Sequence, residues 1–87
     1  MMTDKLGYQQ VAAATAVIKP TPAGLFSVTC IVAGEVTVYD SASAASGNIL
    51  YTKTMTVGEI ATWASHGIAA NNGLVVVAAG TVNIAYT

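Results

Sequence analysis

Apolar and polar residues alternate along most of this chain with the period of two that a half-buried strand requires. From Leu25 to Val32, Phe26, Val28, Cys30 and Val32 fall on one face, and Leu25, Ser27, Thr29 and Ile31 on the other. Glu35–Asp40 alternates again, with Val36 and Val38 directed inward. Between the two runs lies Ala33-Gly34, a tight-turn signal that predicts a hairpin. Ile49–Met55, rich in Thr and Tyr, reads as a further strand. Glu59–Ser65 reads as another, with Ile60, Thr62 and Ala64 opposite Ala61, Trp63 and Ser65. Leu74–Ala79 and Thr81–Tyr86, split by Gly80, predict a closing hairpin, and Asn72-Gly73 before it is a strong turn dipeptide. Ala13–Lys19 is a strand ended by Lys19-Pro20-Thr21-Pro22, where prolines suit an edge or a connector. Ser41–Asn48 is a small-residue loop in which Ser43–Ser46 can form a helical turn capped by Asp40 or Ser41.

About seven short strands at intervals of roughly ten residues predict an all-β fold, a compact antiparallel β-sandwich or barrel. The β-domain spans 13–87. Residues 1–12 lack periodicity and are expected to form an extended N-terminal arm, with Leu6, Tyr8 and Val11 as apolar anchors.

Charge changes the picture most. Only 8% of the 87 residues are charged, against 54% hydrophobic, where a soluble domain ordinarily carries about a quarter charged residues. Strands with one wet face should show Lys and Glu there, yet the outward positions here are Thr, Ser and Ala. A surface so poor in charge is expected to lie against other protein, including long uncharged edges that would otherwise recruit further strands.

The same composition argues against several functions. Three scattered lysines and no arginine make neither a phosphate-binding stripe nor a polybasic membrane patch, so neither nucleic acid nor membrane is expected as a partner. Apolar runs such as Leu74–Ala79 have strand length, and Gln9, Gln10 and Asp4 interrupt any signal-like stretch. Cys30 is the single cysteine and reads as a buried strand residue. His66 is the single imidazole. Its neighbour Ser65 points to the opposite side of a strand, and no acid is placed beside them, so no enzyme activity is expected. One Cys and one His do not furnish a structural zinc site within one chain, the glycines match no phosphate loop, and no cofactor is expected.

Aromatic residues leave two readings. Tyr39, Tyr51, Trp63 and Tyr86 with the amides of Asn71-Asn72 suit stacking on a sugar, as in a carbohydrate-binding module. Alternatively they pack in a core or an interface, where rings bury large area and their polar tips find partners. The candidate interface residues are therefore Leu6, Tyr8, Val11, Tyr39, Asp40, Trp63 and Tyr86.

The stretch Gly34-Glu35-Val36-Thr37-Val38-Tyr39-Asp40, followed by the Ser41–Asn48 loop and Ile49-Leu50-Tyr51-Thr52, resembles a pattern in small virion proteins of tailed bacteriophages. There, a Val-x-Val/Ile-Tyr-Asp strand leads through a Ser/Ala/Gly loop into Leu-Tyr-Thr. Gly73-Leu74-Val75-Val76-Val77 and Thr81-Val82-x-Ile84-x-Tyr86 look similar to the last two strands of such chains. The likeness runs from about Val17 to Thr87 and leaves the N-terminal leader out. It implies a capsid decoration (cement) protein on the virion surface, a homotrimer whose partner is the major capsid protein. A tail, head–tail junction or fibre component is the alternative within that class. The resemblance carries no active residues. Independently of it, Asp40 ends its strand where a carboxylate can accept the N–H groups of Ala42 and Ser43 in an Asx-type turn.

Overall fold

The computed structural model describes residues 7–63 and 67–87. Nine antiparallel strands form two packed sheets: β1 (Gly7–Ala12), β2 (Thr15–Lys19), β3 (Ala23–Val32), β4 (Gly34–Asp40), β5 (Asn48–Met55), β6 (Ile60–Thr62), β7 (Ile68–Ala70), β8 (Leu74–Ala78) and β9 (Thr81–Tyr86). One sheet has the order β1-β9-β3-β6, with β7 also paired to β3, and the other the order β2-β8-β4-β5. The fold is a β-sandwich, as the alternation predicts.

The sequence neighbours β1 and β2, β9 and β8, β3 and β4, and β6 and β5 occupy matching places in the two sheets. The molecule is therefore a four-stranded antiparallel sheet folded across its middle, each long strand bending from one layer into the other. The bend runs through Ala13-Ala14, Ala79-Gly80, Ala33 and the Thr56–Glu59 turn. Backbone hydrogen bonds cross it from strand to strand: Ala13 N–H to Gly80 C=O at 2.7 Å, Ala79 N–H to Glu35 C=O at 2.9 Å, and Gly58 N–H to Cys30 C=O at 2.9 Å.

This corrects both predicted hairpins. Ala33-Gly34 does not turn β3 back onto β4, and Gly80 does not turn β8 back onto β9, because the members of each pair lie in different sheets. Small residues stand at these positions because the two corners touch. A Cβ on Gly80 would overlap the Val32 carbonyl oxygen and lie 2.5 Å from that of Ala33, and one on Gly34 would lie 3.0 Å from Ala79 C. Alternation reports which way side chains point, and it is indifferent to whether the next strand pairs or crosses.

Both layers contribute to one core. Leu25, Val28, Cys30, Val82 and Ile84 from the first sheet meet Val36, Val38, Met55, Leu74 and Val76 from the second. The two predicted faces of β3 change over at its ends. Register shifts between Leu25 and Ser27 and between Cys30 and Val32 turn Leu25 inward and leave Val32 52% exposed, since a bulge adds one residue and flips the faces beyond it.

Three further boundaries differ from expectation. Residues 7–12 of the expected arm are a strand, β1, in full register with β9 from Gly7↔Tyr86 to Ala12↔Thr81. The uncharged stretch fits an edge of the sheet, whereas Leu6 lies outside the described residues. The Glu59–Ser65 strand is confined to Ile60–Thr62, and Ala64, Ser65 and His66 lie outside the described residues. The loop after it contains β7. Ser43–Ser46 forms no helix, Ser43–Ala45 being bends, and the Ser41 hydroxyl accepts the N–H groups of Ser43 and Ala44.

Candidate functional site

Register places the outward side chains of the β1-β9-β3-β6 sheet in three rows. Tyr8, Ala85, Ser27 and Thr62 form the first, Gln10, Asn83, Thr29 and Ile60 the second, and Ala12, Thr81 and Val32 the third. None of these side chains is charged. Tyr8 is 72% and Ile60 60% exposed. At the folded end of this face, Gly58 and Glu59 are tied to Cys30 by backbone bonds, and Val57, Ile31 and Val32 are exposed.

The second sheet presents a different outer face. Val17, Val75, Tyr39 and Ile49 form an apolar row across all four strands. Val75 is fully buried yet lies outside the core cluster, because Val17 and Tyr39 flank it on the outside. The next row is Thr15, Val77, Thr37 and Thr52, where the hydroxyls of Thr37 and Thr52 hydrogen-bond at 3.0 Å. Among the described strand residues, charge lies on this sheet alone, at Lys19, Glu35, Asp40 and Lys53. Lys53 bonds Glu59 of the β5–β6 turn. This pair holds the Glu59 carboxyl below and the Lys53 ammonium above their ordinary values, and Glu59 also accepts the Thr56 N–H. The pair is exposed, so it adds little to stability.

The seven candidate interface residues do not form one surface. Tyr8 and Tyr39 lie on the outer faces of opposite sheets. Val11 is 2% exposed and belongs to the core, since the register of β1 turns it inward opposite Val82. Trp63 packs partly buried against the core and edge-on to Tyr51, ring centres 5.2 Å apart at 78°. These two rings fill the open side between the layers at the β5–β6 edge. Tyr86 is also partly buried against the core. These aromatic residues thus serve four separate places and form no common platform. Sequence reading missed the apolar row through Val75. Its signal was the unbroken Leu74–Ala78 run, which marks a strand covered on both faces.

Asp40 is the buried charged residue among those described, 7% exposed, and its role is internal. Its carboxylate accepts the N–H of Asn72 at 2.7 Å and of Asn71 at 3.1 Å. The predicted turn to Ala42 and Ser43 is therefore corrected, as Ser41 caps that loop. The bond from Asn72 N–H holds the Asp40 carboxyl below its ordinary 3.8. Burial opposes this, and the N–H groups of Asn71 and Gly73 reinforce it. A carboxyl whose value is depressed on folding stabilises the fold above its unfolded value, and that contribution is lost as pH falls through the lower folded value. We predict that melting temperature falls in acid below about pH 3.8 and that Asp40→Asn is less stable at neutral pH. The gap between the two proteins should narrow towards strong acid. A constant gap in a melting series across pH would remove Asp40 from the acid response.

Compared with known proteins, the chain matches no family model, no curated sequence and no solved structure.

Proposed function

We propose that this protein is a structural subunit of a protein assembly, and specifically a bacteriophage capsid decoration protein that binds the assembled shell as a homotrimer and stabilises it. The observation that carries the reading is the outer face of the β1-β9-β3-β6 sheet, which holds no charge among the described residues. Burying such a face against protein strands no charge away from water, whereas a Lys- or Glu-studded face would lose its hydration on contact. Its composition, a Tyr and several β-branched aliphatics among Thr, Ser and Asn, is that of an interface centre depleted in charge. The resemblance of residues 34–52 to tailed-phage virion proteins supplies the particle, with the major capsid protein as partner. Subunits that bind only the closed lattice raise the free energy of opening it by mass action.

The test is sedimentation of the purified chain with phage shells, followed by electron microscopy of the complex. Even coverage of the shell supports decoration, signal at one vertex supports the tail or junction alternative, and absence of the chain from the particle overturns both. Ile60→Lys places a charge on this outer face, at the β6 edge of the sheet. It is expected to weaken attachment at least about tenfold, the size of a desolvated, unpaired charge at an interface, with the melting temperature unchanged. Attachment equal to that of the parent protein would exclude this face.

A further inference from the structure

At the end of the sandwich opposite the fold line, the loop before β8 is tied to the end of β4 by three bonds. Asp40 accepts the Asn71 and Asn72 N–H groups, and Ser41 N–H donates to Gly73 C=O at 3.2 Å. Gly73 is obligatory in this clamp. Its φ is +155°, and a Cβ there would lie 2.7 Å from the Ser41 carbonyl oxygen and overlap that of Lys19. The fold therefore forces glycine to follow an exposed asparagine. That dipeptide is where a main-chain nitrogen unshielded by a Cβ most easily reaches a side-chain amide.

We propose that Asn72 is a modification site: a spontaneous deamidation site that the Asp40 clamp holds closed in the folded protein. In the open loop, the Gly73 nitrogen attacks Cγ of Asn72. A C–N bond forms as the Cγ–NH2 bond breaks, the Gly73 N–H proton passes to solvent base, and ammonia leaves. Water then opens the five-membered imide at either carbonyl, yielding aspartate or isoaspartate with no change of oxidation state. In the closed loop the Asn72 peptide is fixed by its 2.7 Å bond to Asp40, so ring closure requires local opening. Conversion weakens the clamp. It puts a second carboxylate beside that of Asp40, a like-charge contact that disfavours ionisation of both. The isoaspartate product also adds a methylene to the main chain at the clamped residue. The site thus records how long and how often this end of the sandwich has been open. The inference does not depend on the assembly reading.

Peptide mapping by mass spectrometry, after prolonged incubation of the full chain, tests it. Asn48, Asn71 and Asn83, none followed by glycine, are internal controls. Conversion is expected at Asn72 first, at a rate at least about tenfold below that of the chain unfolded in urea. In folded Asp40→Asn, which keeps one acceptor oxygen, the rate should rise towards the unfolded one. Should that variant not fold, hydrogen exchange at Asn72 in the parent protein must show an opening rate that accounts for its conversion. Equal rates in folded and unfolded parent chain, first conversion at another asparagine, or no acceleration in a folded Asp40→Asn would overturn the proposal.

Discussion

Gly80→Ala should destabilise the protein by about 3 kcal/mol or more, the upper range for forcing an atom into a packed site. The added methyl would meet the carbonyl oxygens of Val32 and Ala33, which are backbone atoms with no rotamer to yield. Relief requires the β3–β4 crossing to move away from the β8–β9 crossing. That motion strains the bonds holding the fold line, Ala13 N–H to Gly80 and Ala79 N–H to Glu35. Against a total stability of ~5–15 kcal/mol for a domain, the loss should appear as a fall in melting temperature on the order of 10–20 °C. A calorimetric scan within a few degrees of the parent protein would show that the corners do not pack as described. Gly34→Ala, from the other side of the same contact, should act in the same direction. Because each change disturbs the same contact, the double variant should lose less than the sum of the two.

The fold line also explains what was legible in the sequence. Most strands and most inward faces were, since Val28, Cys30, Val36, Val38, Val82 and Ile84 follow the period of two and all are buried, whereas β1 and β7 were not expected as strands. Pairing was not. Ala33-Gly34 and Ala79-Gly80 carry the residue types of tight turns, but glycine serves close backbone approach as readily as chain reversal. The distinction depends on what lies across the corner, more than forty residues away in sequence between Gly34 and Gly80. Bulges in β3 were equally silent, because an extra residue leaves local composition unchanged while exposing Val32 and burying Leu25. Asp40 was recognised as a capping carboxylate, but its partners Asn71 and Asn72 lie 31 and 32 residues on, beyond any local turn rule. For the candidate surface, the shortage of charge was plain from composition. That one sheet lacks charge among the described strand residues, with Lys19, Glu35 and Lys53 all on the other, appeared only once register placed each side chain.

Ile84→Ala is the second large effect expected, a loss of ~2–5 kcal/mol. Ile84 is fully buried on β9, which runs between β1 and β3, with Gln9 and Val28 as its register partners. Its side chain fills the space between the layers, where neighbours held in ladders on both sides cannot collapse into the cavity. Ile60 is the matched comparison. It has the same side chain, lies in the same sheet and points the other way, 60% exposed. Ile60→Ala should change stability within about 0.5 kcal/mol, the usual range at a surface position, while weakening attachment if its face is the one covered in the assembly. Chemical denaturation of both variants, read beside shell binding, separates the two sides of one sheet. Inward positions report on folding and outward positions on association. If Ile60→Ala unfolded as easily as Ile84→Ala, the side chain would belong to the core, and the face proposed as the contact surface would lose one of its exposed aliphatic residues.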